Sequence, residues 1–399
     1  MGAHALAAPA KLASPRAVGW AGIALGALAW FIALPPLTIR SPVPSLLVAL
    51  SALAAGAYAV RGGERRLGYG AIVAGVVGGV GAVVATRSGV ANLEAVFVWS
   101  ALLAAMLRFA TPLVFAALGG ILSERSGVIN IGLEGMMLTG AFFGIFGADL
   151  LGSWPLGVLV GMAAGGLLGL VHAFFSIHLR ADQVVSGTAV NLLALGITGY
   201  VFVAHYGSAG TPAEVPRVPE VTLPLIEEIP LVGDVLGTMS LLTLVALLLV
   251  PAMALYLFRT PSGLRLRSVG EKPRAADSVG LPVLRTRYLA VIASGVFAAI
   301  GGVYLSIALL GSFNEGMTAG RGFIALAAVI FGSWRPLGAL AAALLFGFST
   351  ALAQRLPEFS ESTAVLFQAL PYVLTLIVVA GVIGRSRPPA AIGVPYVKE

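Results

Sequence analysis

The chain has no cysteine among its 399 residues, which excludes disulfide bonds, thiolate metal sites and a cysteine nucleophile. Charge is almost as scarce: Asp, Glu, Lys and Arg make up 10% of the residues against 58% hydrophobic, and the mean hydropathy is +0.98. A soluble globule of this length needs far more polar surface, so the composition puts the chain in lipid. Only four histidines are present, and His172, His178 and His205 are not spaced as metal ligands, which favours interfacial or helix-packing roles. No G-x-x-x-x-G-K-[ST] phosphate loop occurs, so the chain does not hydrolyse a nucleoside triphosphate by that route. Paired catalytic carboxylates are missing too, which argues against a membrane enzyme. The pairs Gly119–Gly120, Gly165–Gly166 and Gly301–Gly302 follow no strand and suit close helix packing rather than phosphate binding. The pI near 10.0 comes from 24 Lys and Arg spread thinly between apolar runs, a pattern set by membrane topology, and it implies no nucleic-acid partner.

What the sequence has in abundance is apolar runs. A helical crossing takes about 20 residues. Twelve segments qualify: 17–34, 43–60, 69–85, 109–122, 129–151, 154–178, 184–205, 239–258, 288–310, 322–333, 336–354 and 364–383. Two of them, 109–122 and 322–333, are short enough to be half-helices that stop inside the membrane, so the expected fold is an all-α polytopic membrane protein of ten to twelve spans. Lys11 and Arg16 precede the first run, Pro35 and Pro36 end it, and no small-residue cleavage pattern stands out; an uncleaved first span is expected. Basic residues concentrate in 61–66, in 258–287 and in the tail with Arg385, Arg387 and Lys398, which assigns those loops and both termini to the cytoplasm. The stretch 207–237 holds Glu214, Glu220, Glu227, Glu228 and Asp234 against Arg217 alone and should face outward. Its five prolines preclude a long helix and predict an ordered loop or short extended pieces. The expected organisation is an extension of about three spans over 1–92, a core over 93–383 with an outward loop at 206–238 and a cytoplasmic loop at 259–287, and a tail at 384–399.

Residues 111–140 interrupt an apolar stretch with Glu124, Arg125, Asn130, Glu134 and several glycines. In hydrocarbon an unpaired amide or lone carboxylate costs several kcal/mol, so such breaks persist where they line a protein-enclosed path. Asn130 and Glu134 admit two readings: an N-cap and a dipole-favoured carboxylate at a helix start, or a broken helix whose polar face abuts a translocation path. Gln183, Ser186, Thr188 and Asn191 dot the start of another span, where they either bond neighbouring helices or offer donors and acceptors to a neutral polar solute. Asn191, well inside the span, is the favoured solute contact. Asn314, Glu315, Thr318 and Arg321 follow Gly311 on the outward side as an ordinary loop or as a gate.

The loop 259–287 carries seven basic and two acidic residues. Pro261 and Gly263 are expected to close the preceding helix, and 272–279 to form a short amphipathic helix begun by Pro273, with Ala275 and Ala276 as a close-approach surface. Such a helix suits docking of a cytosolic partner or binding of anionic lipid.

Three separated segments, LSERSGVINIGLEGMMLTGAF, GLRLRSVGEKPRAADSVGLPV and GSFNEGMTAGRGFIALAAVIFGSWRPLGALAAALLFG, resemble the permease subunits of bacterial ABC importers for simple sugars and nucleosides, most closely the nucleoside branch. The resemblance covers about 107–383 and leaves the first spans unexplained. It implies that 93–383 is a permease core in the bacterial cytoplasmic membrane. It also implies two permease chains around a central pathway, commonly unlike in this branch, two cytosolic ATPase subunits below and an extracytoplasmic solute-binding protein outside. ATP and Mg would then sit on the ATPase, with no cofactor on this chain. The resemblance further implies that Gly270, Glu271, Ala275, Ala276 and Gly280 form the ATPase-coupling segment. Asn130, Glu134, Thr188 and Asn191 are the candidate pathway residues, and Asn314, Glu315 and Arg321 the candidate outward gate or binding-protein contact. A rival reading is an ion-coupled secondary transporter using Glu134 and Asp149, although such a carrier has no need of a long basic loop with a helix in its middle.

Overall fold

The computed structural model describes residues 14–32, 41–87, 98–229, 232–355 and 387–397, so the expected span at 364–383 lies outside the described residues. The chain divides into two compact units, one built on its first three helices and one beginning at Trp99.

The first unit consists of α1 (Pro15–Phe31), α2 (Pro42–Arg61) and α3 (Arg65–Arg87). Ser14 and Ser41 cap α1 and α2, each followed by a proline whose missing N–H costs nothing in a first turn. Their buried faces are small residues three or four apart: Gly19, Gly22, Gly26 and Ala29 on α1, and Ser45, Ala49, Ala52, Gly56 and Ala59 on α2. That spacing is one helix face, and it lets backbones approach where burial of apolar surface supplies no drive. At Gly26 a Cβ would run into the Ala74 backbone of α3.

The second unit contains α4 (Trp99–Arg125), α5 (Leu133–Leu151), α6 (Trp154–Ala173) and α7 (Gln183–Tyr206). After these come a two-stranded antiparallel ribbon, β1 (Glu220–Thr222) with β2 (Thr238–Ser240), and a one-turn helix α8 (Pro224–Glu227) between the strands. Then follow α9 (Leu241–Arg259), α10 (Pro261–Glu271), α11 (Pro273–Ser278), α12 (Val283–Val303), α13 (Arg321–Phe331) and α14 (Pro336–Arg355). α6 and α12 run on through π-helical turns at Phe174–His178 and Tyr304–Leu310. Among the described residues nine helices are long and apolar enough to cross a membrane, and Arg321–Phe331 is a shorter apolar one. The all-α polytopic expectation holds.

Two expectations change. The segment 109–122 is no half-helix: it is the second half of α4, which runs 27 residues unbroken past the internal Pro112. Pro112 carries no N–H, and the Thr111 hydroxyl beside it donates to the Leu107 carbonyl at 2.8 Å. Pro261 likewise does not stop a helix; it starts α10, capped by Thr260, whose Oγ1 accepts from the Gly263 amide at 3.1 Å. The basic loop thus holds two helices, and only the second, α11, matches the helix expected near 272–279. The short 322–333 segment is short in the fold as well, 11 residues in α13. The 206–238 loop forms the β1–β2 ribbon with Glu220 opposite Ser240, an ordered loop with short extended pieces.

α4, α5 and α12 lie at the centre and bury Phe115, Phe142, Met136, Met137 and Tyr304. Their approach depends on glycine: at Gly302 a Cβ would strike the Met137 carbonyl, and at Gly140 the Ala299 backbone. α7 is different, with one stripe, Gln183, Gly187, Val190, Ala194 and Thr198, turned inward and most of its remaining surface open.

Candidate functional site

Between α4 and α5 the chain leaves the helix at Ser126, turns through Gly127 at φ +94° and resumes at Leu133. Every polar group released there needs a partner inside lipid-excluded protein. Ser123 Oγ donates to the Val128 carbonyl at 2.7 Å. The Ile129 amide donates to Gln183 Oε1 at 2.7 Å, and the Ile129 carbonyl lies 2.9 Å from His172 Nε2. A carbonyl only accepts, so Nε2 carries the proton, and Nδ1 accepts from the Ser186 hydroxyl at 3.0 Å. Asn191 closes the gap: Nδ2 donates to the Ile131 carbonyl at 3.1 Å and Oδ1 accepts from the Gly135 amide at 2.8 Å. The first residues of α7 therefore splint the break.

Asn130 is not the N-cap of α5. That position is Gly132, without a side-chain cap, and Asn191 supplies the missing acceptor from the neighbouring helix. Asn130 is fully buried and donates to Ser294 Oγ at 2.9 Å and to the Met136 sulfur at 3.4 Å. Its Oδ1 has no hydrogen-bond partner among the described residues.

Glu134, in the first turn of α5, crosses to another helix. Its Oε1 accepts from the Gly320 amide at 2.8 Å and its Oε2 from the Gly322 amide at 2.6 Å. Those amides are the start of α13, where free N–H groups and the helix dipole favour an anion. Gly320 caps α13 at φ +82°, and at Gly322 a Cβ would press on the Glu134 backbone. One carboxylate thus ties two interrupted helices together at their N-termini, the layout of transporters that hold a solute site at broken helices.

The turn 311–320 leads into that junction. Asn314 and Glu315 are exposed, with the Glu315 carboxylate beside Gly199 of α7, while Phe313 is buried against Phe142 and Phe202. Arg321 Nη1 donates to the Met317 and Thr318 carbonyls at 2.9 and 3.1 Å, bracing its own turn. Thr188 lies on the open face of α7, bonded to the Val184 carbonyl at 2.9 Å. Asp149, offered for ion coupling, accepts from the Tyr206 hydroxyl at 2.9 Å, away from this junction. No cluster of three or more metal-ligating side chains occurs among the described residues.

The far end of the break meets the basic loop. Gly270 lies so close to the Arg125 carbonyl that a Cβ would overlap it. The tail joins them: the Ala391 amide donates to the Gly270 carbonyl at 2.9 Å, the Ala390 amide to Glu271 Oε2 at 3.2 Å and the Gly393 amide to the Gly127 carbonyl at 3.1 Å. Arg287, 1% exposed, donates to the Ser126 carbonyl at 3.1 Å and the Val394 carbonyl at 3.0 Å. Arg125 donates to the Trp334 carbonyl at 3.0 Å, and the Trp334 indole donates to Glu124. Ala276 is not a docking surface: it packs inward with Val269, Val283 and Tyr396, and Ala275 is the exposed member of the pair. Gly280, at φ +82°, allows the turn into α12 and has open space around it among the described residues.

Sequence reasoning missed the tail, Arg287 and Trp334. A charge at the start of an apolar run was the available signal for Arg287; the tail offered none.

This break, the α13 junction and the basic loop all fall within residues 102–379, which match the branched-chain amino acid transport system permease component family. The chain belongs to that family. It is 44% identical to the guanosine ABC transporter permease protein NupQ of Bacillus subtilis over 321 residues, 77% of this chain and 99% of NupQ. It is 40% identical to the nucleoside ABC transporter permease protein NupC of Lactococcus lactis over 308 residues, 75% of this chain and 97% of NupC. It is 41% identical to the putative glucose ABC transporter permease protein TsgC13 of Haloferax volcanii over 263 residues, 65% of this chain and 78% of that one. No solved structure matches the chain. The permease is a multi-pass membrane protein and a transport subunit rather than an enzyme.

Proposed function

We propose that this permease imports nucleosides across the bacterial cytoplasmic membrane as one of two permease chains in an ATP-driven ABC complex. The observation that carries the reading is its similarity to NupQ and NupC along nearly the whole length of both. The partners are a cytosolic ATPase that binds ATP and Mg, an extracytoplasmic binding protein, and a second, related but unlike permease that meets the open face of α7.

In this reading the solute passes the junction where α5 and α13 begin. Thr188, exposed on α7, offers it a polar group, while Asn130, Glu134 and Asn191 act by holding the broken ends in place. Asn314, Glu315 and Arg321 form the outward gate or the binding-protein contact. On the cytoplasmic side, Ala275 and Gly280 meet the ATPase, and Gly270, Glu271 and Ala276 transmit its motion inward. Because Gly270 abuts the Arg125 carbonyl and Arg125 holds the Trp334 carbonyl, a push on α10 reaches both the α4–α5 break and the turn below α13. The similarity to TsgC13 favours a second reading in which the solute is a simple sugar.

The test is uptake of labelled guanosine, adenosine, uridine, ribose and glucose by cells with and without the chain, before and after ATP depletion. ATP-dependent nucleoside uptake that disappears with the chain is the expected result. Loss of sugar uptake alone moves the assignment to sugars, and uptake that survives ATP depletion but collapses with the ion gradient refutes the ABC reading.

A further inference from the structure

Beside the coupling helices, α9, α10 and α12 enclose an open groove of about 630 Å³. Its floor is apolar, with Leu249 and Met253 from α9 and Ala293 and Phe297 from α12. Its rim carries Arg265 of α10 and Arg285 of α12. The volume lies in the range of small-molecule sites, about 300–1,000 Å³.

The two rim arginines differ from Arg267 and Arg287 of the same loop. Arg267 lies over the Phe258 ring at 4.9 Å, and Arg287 is spent on the carbonyls of Ser126 and Val394. Arg265 and Arg285 are exposed, and neither guanidinium has a hydrogen bond or ion pair among the described residues. Among the described residues no acidic side chain lines the groove, and the Glu271 carboxylate, one of the two in the loop, accepts from the tail. An uncompensated pair of cations above an apolar slot, at the level where a basic loop meets a run of membrane helix, calls for a ligand with an anionic head and an apolar tail.

We propose that this groove is a binding site for an anionic phospholipid of the inner leaflet, with its phosphate between Arg265 and Arg285 and an acyl chain against Leu249, Met253, Ala293 and Phe297. A lipid seated there touches α9, α10 and α12 at once and holds the coupling helix to two crossings. A zwitterionic lipid brings its own cation to the rim and binds less well.

The test is native mass spectrometry of the full chain, with whatever subunits co-purify, released from nanodiscs of equal phosphatidylglycerol and phosphatidylcholine. Wild type is expected to retain phosphatidylglycerol over phosphatidylcholine by about tenfold. The R265Q/R285Q double variant should lose that preference, and so should Ala252→Trp, which leaves both arginines in place and fills the slot. R180Q, a basic residue of the α6–α7 turn outside the groove, should keep it. No preference in wild type overturns the proposal, as does equal loss in R180Q. Retention by Ala252→Trp also overturns it, because the attraction is then to loop charge alone.

Discussion

Glu134→Gln tests the junction most directly. Glu134 receives two backbone amides at 2.8 and 2.6 Å, both at the first turn of α13. Hydrogen bonds to a charged group contribute about 1.5–3 kcal/mol each, and a carboxylate at a helix N-terminus adds about 0.3–1 kcal/mol. Glutamine keeps one acceptor but turns its NH₂ toward the other amide, so one bond is replaced by two donors facing each other. The remaining bond loses its charge. The net loss is about 2–4 kcal/mol of the free energy that holds α13 to α5. At 1.4 kcal/mol per tenfold, the local opening that exposes the Gly320 and Gly322 amides becomes about 30- to 1,000-fold more frequent. Hydrogen–deuterium exchange of the peptide covering 316–326 reads this directly, with a peptide from α2 as the internal control. Glu134→Asp, one methylene shorter but still charged, should fall between the two. Exchange in Glu134→Gln within about threefold of wild type would refute the junction as described.

Asn191→Leu removes the partners of both the Gly135 amide and the Ile131 carbonyl, and should cost about 2–4 kcal/mol of stability, seen as a lower unfolding temperature in detergent together with lost uptake. A normal unfolding temperature with abolished uptake would return Asn191 to direct solute contact. Gly270→Val drives a side chain into the Arg125 carbonyl and should separate α10 from α4, so that the assembled complex hydrolyses ATP with little uptake; an unchanged ratio of uptake to hydrolysis would argue against transmission at this point. Ala391→Pro deletes the amide that donates to the Gly270 carbonyl, a bond contributing about 1 kcal/mol, and should lower the same ratio more mildly without affecting membrane insertion.

The membrane class was legible from composition, and eleven of the expected spans fall on helices of the fold, the twelfth lying outside the described residues. One boundary failed where proline was taken as punctuation: Pro261 stands in the first turn of α10, where it loses no backbone bond. Another failed on length, because the short apolar run 109–122 is the second half of α4. The polar residues of the break were all visible as residues out of place in lipid, but their partners were not. Gln183 and Asn191 stood open between helix bonding and solute contact, with Asn191 favoured for the solute, because a sequence does not say which carbonyls and amides a neighbouring break leaves free. Glu134 stood open between a dipole-favoured carboxylate of its own helix and a group on the path, and the second helix it serves starts almost two hundred residues later. Such pairings are set by which helices pack side by side, and local pattern carries no trace of that.

The brevity of α13 bears on how the chain is made. Eleven helical residues rise about 16 Å, roughly half of the hydrocarbon thickness, so this segment is a poor substrate for insertion on its own. Its first-turn amides also have their acceptor on α5, synthesised long before. The ribosome therefore delivers a half-length segment whose anchoring carboxylate already waits in the bilayer. Placement of α13 then depends on packing against α5 as well as on its own hydropathy.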